Sequence, residues 1–188
     1  MKSVLYIKNM VCPRCIMAVQ GILDKMGISY TTVNLGEIVL KEELMGEIRE
    51  DLNDRLEKFG FTIINDRKGQ LIEQMKNLVI ANVHHSNEGK DIVWADLISN
   101  ELKLDFKYLS SLFSSVESIT FEQYVINQKI ERSKELLVYD ELTLTEIAYQ
   151  LNYSSVAYLS SQFKKVTGMT PTQFRKSVVK NRKSLDDV

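Results

Sequence analysis

Two stretches of this chain carry the same residues in the same order, 49 to 50 positions apart, and this repetition constrains the fold more than any other feature. Ile98, Leu102, Tyr108-Leu109-Ser110-Ser111 and Phe113 return as Ile147, Leu151, Tyr158-Leu159-Ser160-Ser161 and Phe163. The apolar members recur at helical spacing, so each copy reads as a pair of short helices. Between the copies, Phe121, Tyr124, Val125, Ile130, Ser133, Leu136 and Leu137 mark one long helix packed on both. The second half is therefore expected to be all-α, two similar helical units on a shared spacer helix.

In the second copy, residues 144–151 form the first helix. Asn152 stands where the turn needs a residue tolerant of the left-handed region. Ser154 or Ser155 can cap the next helix by accepting from its free N–H groups. Tyr158, Leu159 and Phe163 are expected to point inward, leaving Val156, Ala157, Ser160, Ser161 and Lys164 facing out. A helix with small exposed side chains can enter the DNA major groove, about 12 Å wide.

These residues resemble the AraC/XylS family of bacterial transcription regulators. The resemblance rests on Ile147-Ala148 through Asn152-Tyr153-Ser154, Tyr158-Leu159-Ser160, Phe163-Lys164-Lys165, Gly168, Thr170-Pro171 and Phe174-Arg175, and covers residues 90–176. It implies that Lys107, Ser110 and Ser111 enter one major groove of double-stranded DNA, and that Ser155, Val156, Ala157, Ser160 and Ser161 enter the next. It also leaves room for contact with RNA polymerase. The chain departs from the family at Lys103 and Ser118, where glycines are usual, and at Ser111 and Ser161, where arginine is frequent. Arginine on guanine supplies about 1–3 kcal/mol of discrimination. Serine bonds to any base, so affinity is expected to come from phosphate contacts by Lys164, Lys165 and the basic tail, and to fall steeply with salt.

The whole chain has 24 basic and 25 acidic residues, net −1, which excludes coating nucleic acid by bulk charge. From Lys164 to Lys183, however, there are seven basic residues and no acidic one. A local patch acts over about 8–10 Å in salt whatever the total charge. A solvated tail would look the same in sequence.

The first half has a different pattern. Residues 3–8 read as a strand, and a loop to Cys15 follows. Ile16, Val19, Ile22, Leu23 and Met26 form a helix that Gly27 ends. Residues 30–35 and 38–40 are strands about a turn at Gly36. Leu44, Ile48, Leu52, Leu56 and Phe59 stripe a second helix ended by Gly60, and residues 61–64 are a last strand. The order β-α-β-β-α-β is ferredoxin-like, so the whole chain is expected to be α+β. Domain boundaries are expected at 1–66, a linker helix and loop at 67–89, a helical domain at 90–180 and a tail at 181–188. The 67–89 helix either links the halves or pairs with another copy.

Cys12-Pro13-Arg14-Cys15 spans the first strand–helix junction. Two intervening residues let both sulfurs face one point. The helix N-terminus and Arg14 favour thiolates, and two thiolates without hard ligands suit Cu(I). The spacing also serves a thiol redox pair. Met10-x-Cys12-x-x-Cys15 in this element order, with Gly60-Phe61, resembles the heavy-metal-associated domain of copper chaperones and metal-pumping ATPases over residues 2–65. The resemblance implies Cys12 and Cys15 as metal ligands, Met10 as a buried anchor and Phe61 as a shield. His84-His85 read as an exposed helix end or linker rather than a metal site, where a cationic histidine would complement the helix dipole.

No Ser-His-Asp arrangement, paired catalytic carboxylates, HExxH or phosphate-cradling glycine loop is present, so an enzyme is not expected. The longest apolar stretch, residues 78–81, falls far short of the roughly 20 needed to span a membrane, and the N-terminus lacks signal-peptide character. A cytoplasmic DNA-binding regulator with a Cu(I) or redox sensor is the leading expectation. A copper chaperone or buffer, a thiol oxidoreductase, and a protein-interaction module with weak DNA specificity remain alternatives.

Overall fold

Leu5 and Ile7 are buried while Val4 and Lys8 are exposed, the period-two alternation of a strand with one covered face. This strand, β1 (Ser3–Lys8), lies inside a four-stranded antiparallel sheet in the computed structural model. The other strands are β2 (Tyr30–Asn34), β3 (Glu37–Leu40) and β4 (Thr62–Ile64), in the order β2-β3-β1-β4. Leu5 opposes Ile38, and Lys8 opposes Thr62. The structure describes residues 3–85, 92–139 and 141–181, with side chains through Ser177.

Helix α1 (Pro13–Lys25) opens with proline at its first position, where no N–H is missed, and carries Lys25 in its last turn. Its end is a Schellman motif. Gly27, at φ 68°, donates to the Asp24 carbonyl, and Ile28 donates to that of Leu23. Helix α2 (Glu47–Glu57) is followed by the same device, with Gly60 at φ 81° and Phe61 donating to Leu56. Val19, Ile22 and Leu23 of α1 and Leu52 and Leu56 of α2 share one core with Leu5, Ile7, Ile38, Leu40 and Ile63. Each such burial contributes about 1.5–3 kcal/mol. The ferredoxin-like order read from the sequence is the one formed. The five-residue stripe expected on α2 is not. Gly46, at φ 57°, stands at the N-cap and delays the helix, so Leu44 precedes it, and Ile48 and Phe59 are exposed.

The remaining elements are helices: α3 (Arg67–His84), α4 (Trp94–Leu102), α5 (Phe106–Glu117), α6 (Phe121–Tyr139), α7 (Leu144–Gln150), α8 (Val156–Thr167) and α9 (Pro171–Asn181). None is long and apolar enough to cross a membrane among the described residues. On α3, Leu71, Ile72, Met75, Val79, Ile80 and Val83 are buried within the chain itself. His84 corrects the sequence reading. Its ring is partly buried, with Nε2 2.9 Å from Gln128 Oε1. Burial holds its pKa below the ordinary value, so it is a neutral packed group and no cationic helix end.

The backbone groups into two compact units interleaved in sequence: Met1–Leu78 with Ile98–Leu112, and Val79–Leu97 with Phe113–Val188. Within the second, α6 buries Phe121, Val125, Ile130, Ser133, Leu136 and Leu137, the face expected of the spacer helix.

The repeat extends further than the sequence reading took it. Thr120 caps α6 by accepting from Gln123 N, and Thr170 caps α9 by accepting from Gln173 N. The ring pairs Phe113–Tyr124 and Phe163–Phe174 have centroids 5.3 and 5.5 Å apart.

Candidate nucleic-acid interface and dithiol loop

Each helix pair in the second half turns on a residue in the left-handed region: Lys103 at φ 55° and Asn152 at φ 52°. After Asn152 the turn closes by Tyr153 donating to Ala148 and Asn152 donating to Tyr149, a Schellman motif with asparagine in place of glycine. The following helices are capped alike. Asp105 Oδ1 accepts from Tyr108 N at 3.1 Å, and Ser155 Oγ accepts from Tyr158 N at 3.1 Å. Both helices end on left-handed residues that donate to the carbonyl four positions back: Ser118 to Ser114, and Gly168 to Lys164. The Asp105 cap was missed in sequence, although its repeat partner Ser155 was named.

On α8, Leu159 and Phe163 are buried. Ala157, Ser161, Lys164 and Lys165 are exposed, and Val156 and Ser160 are half-buried. Ser155 has its oxygen engaged in the cap. Tyr158 departs from expectation. It is 49% exposed, its ring edge-on to Tyr153 at 5.7 Å. The reason lies in position: Tyr158 flanks the outward stripe, about 100° round the helix from Ala157, and its repeat partner Tyr108 is equally exposed. The Tyr153 hydroxyl is pushed up to about 12 by burial. On α5, Leu109 and Leu112 are buried, Lys107 and Ser111 are exposed, and half-buried Ser110 donates to the Lys107 carbonyl at 3.2 Å.

The basic run divides. Arg175 donates to the Leu142 carbonyl at 2.8 Å, a tether from α9 to the loop before α7. Lys164, Lys165 and Lys176 are exposed. Lys180 has no described side chain, and Arg182 and Lys183 lie outside the described residues.

In the first unit, Cys12 and Cys15 are free and partly exposed, their sulfurs 3.4 Å apart in a thiol hydrogen bond. Cys12 is the N-cap residue of α1, and Cys15 N donates to its carbonyl at 2.9 Å. Hydrogen bonds from the backbone and then the thiol of Cys15, helped by Arg14, hold the Cys12 thiol below its ordinary pKa.

The loop is anchored from below. Met10 is fully buried and Phe61 lies in the core. Asn9, at φ 73°, donates from its side chain to the Gly60 carbonyl at 2.9 Å and from its backbone to Glu73 Oε1 at 3.2 Å. Glu73 is only 6% exposed. Nothing in the sequence signalled it, since Gln70, Gln74 and Lys76 stand around it.

Two thiolates fit a soft ion by donor chemistry. Cys12 and Cys15 would hold such an ion, and the site would supply two sulfur donors. No group of three or more His, Cys, Asp or Glu that could hold a metal occurs among the described residues.

Comparison with known proteins bears on the helical half. The family model described as a helix-turn-helix domain matches residues 98–177. The chain is similar to the Msm operon regulatory protein of Streptococcus mutans, with 25% identity over 141 residues, which are 73% of this chain and 49% of that protein. It is also similar to the probable transcriptional regulator LumQ of Photobacterium leiognathi, with 24% identity over 165 residues, covering 81% of this chain and 65% of that protein. The chain thus spans less than two thirds of either relative. Among solved structures, the C-terminal domain of AraT, a response regulator from Geobacillus stearothermophilus, matches 60% of this chain and 88% of its own, with 25% identity and TM-score 0.51. A DNA-binding transcriptional dual regulator from Escherichia coli K-12 shares the fold at 19% identity and TM-score 0.51, over 63% of this chain and all of that one. Residues 98–177 are a double helix-turn-helix domain of the kind carried by transcription regulators.

Proposed function

We propose that this protein is a cytoplasmic, one-component transcription regulator of the AraC/XylS type, whose dithiol loop senses Cu(I), another thiophilic ion or thiol redox state. The observation that carries the DNA-binding part is the duplicated, capped helix whose outer positions are Lys107, Ser110 and Ser111, and again Ala157, Ser160 and Ser161. Lys164 and Lys165 continue that stripe toward phosphate, with Ser155 and Val156 at the helix entrance. The domain boundaries that go with this reading are 1–66 for the sensor, 67–89 for the linker and 90–180 for the DNA-binding part. RNA polymerase is a further partner in that role.

Cys12 and Cys15 would hold the ion. It would supply a cross-link between loop and helix, and a signal acts only if the ligand prefers one of two arrangements. The bonds from Asn9 to Gly60 and Glu73 tie the start of the loop to the rest of the unit, and these are the contacts a bound ion would have to bias.

The test titrates Cu(I) into the reduced protein and into a Cys12→Ser, Cys15→Ser variant, with duplex binding measured at each step. Metal uptake by the wild type alone, coupled to a changed DNA affinity, is the expected result. Uptake with unchanged DNA affinity makes the chain a buffer or constitutive regulator. Absence of duplex binding in either state removes the regulator reading.

A further inference from the structure

We infer that Tyr108 and Tyr158 are neutral phosphate anchors, each donating its phenolic hydrogen to a backbone phosphate at the wall of the groove its helix enters. This rests on the DNA-binding reading above and assigns residues that the sequence analysis had placed in the core or left out of the interface.

Three observations lead there. The two tyrosines are equivalent in the repeat, and both are 49% exposed although the next residue, Leu109 or Leu159, is fully buried. Each is the residue whose backbone N–H receives the helix cap, from Asp105 or Ser155, so its Cα is fixed at the entering end of the helix. Helix N-termini and tyrosine hydroxyls are both common phosphate partners.

At about 100° per residue, Tyr158 stands about 100° round the helix from Ala157 and within about 20° of Lys165. It therefore flanks the stripe that would face bases, on the side that would face the wall. Its ring is braced by Tyr153, and its oxygen accepts from Gln162 Nε2 at 3.3 Å. That bond uses the oxygen as acceptor and leaves the O–H hydrogen to be donated. A half-exposed ring loses part of its burial energy, and a phosphate on the hydroxyl with the ring against the sugar edge would recover it.

A phenol releases no counterion, because it carries no charge. This separates it from a lysine contact, which steepens salt dependence. The experiment uses the full chain and two fluorescently labelled duplexes of about 40 bp with unrelated sequences, read by anisotropy from about 50 to about 200 mM salt.

Tyr158→Phe and Tyr108→Phe are each expected to weaken binding about three- to tenfold, equally on both duplexes, with an unchanged slope of log affinity against log salt. Unchanged affinity in both variants overturns the inference. So does loss on one duplex only, which marks base reading, or a flattened slope. Phenylalanine keeps the ring, and the melting midpoint checks the fold. Should the midpoint fall, duplexes carrying methylphosphonates decide: they must weaken the wild type and not weaken the phenylalanine variant further. Wild-type protein that binds neither duplex at low salt defeats the DNA-binding reading itself, whereas wild-type binding with unaffected variants defeats the tyrosine assignment alone.

Discussion

His84 closes α3 with its ring folded against Gln128 of α6, and Arg132, Glu135 and His85 set the field around it. Burial is the largest influence and holds its pKa below the ordinary 6.5. The sign follows from linkage. Below 6.5 the unfolded chain takes up a proton that the folded ring resists, so stability rises with pH through that window. The contribution is complete above 6.5 and drains away as pH falls through the lowered folded value. Urea unfolding at about pH 7.5 and about pH 5.5 should show a drop in midpoint at the lower pH, and His84→Gln should shrink that drop. An equal drop in the variant would assign the pH dependence to other groups. The ring's environment was illegible in sequence, because its partners come from a helix more than forty residues away, and adjacent histidines at a helix end look solvated. Met10 was legible for a different reason: its place in the Met-x-Cys-x-x-Cys pattern implied a buried anchor, and it lies fully buried in the core of the first unit.

At the scale of elements, the repeat carried most of the information. A left-handed turn residue, an N-cap, an inward Leu and Phe, and a left-handed stop recur 49 or 50 residues later, and each role has its own chemistry. The first copy fills the left-handed sites with Lys103 and Ser118, residues that pay about 1–2 kcal/mol to sit there. Replacing either with glycine relieves that cost and loses about 0.5–1 kcal/mol to backbone entropy. Lys103→Gly and Ser118→Gly should therefore each stabilise the protein by about 0.5–1 kcal/mol, while Asn152→Gly gains only a few tenths. Denaturant midpoints would reveal this ranking, and a loss at Lys103 or Ser118 would contradict it. Periodicity failed where the backbone intervened. The α2 stripe was read through Gly46, whose positive φ starts the helix later than the apolar spacing implies. The inward placement of Tyr158 took an aromatic at a repeat position for core, whereas Leu159 and Phe163 fill the inward face and both repeat tyrosines stay half-exposed.

For the molecule as a whole, charge arithmetic and site chemistry pull in different directions. A net charge of −1 gives no general attraction to DNA, so the proposed binding would have to draw on local cations, and the structure narrows the candidates. Arg175 is engaged with the Leu142 carbonyl. Lys129 lies over the Tyr153 ring, 5.2 Å from its centroid, and reaches the Asn152 carbonyl at 3.5 Å. Lys164 and Lys165 stay exposed in the last turn of α8. Sequence could count the basic residues of this run; only the fold could tell a tethered cation from an exposed one. If both lysines meet phosphate, each contributes about 0.9 to the slope of log affinity against log salt. A Lys164→Ala, Lys165→Ala variant should then bind any duplex more weakly at low salt, with a slope shallower by about 1.8, and should approach the wild type as salt rises. Arg175→Ala should instead lower the unfolding midpoint, since it unties α9 from the loop before α7. A double-lysine variant with an unaltered slope would move the phosphate contacts to other residues and leave the outward face of α8 without its electrostatic role.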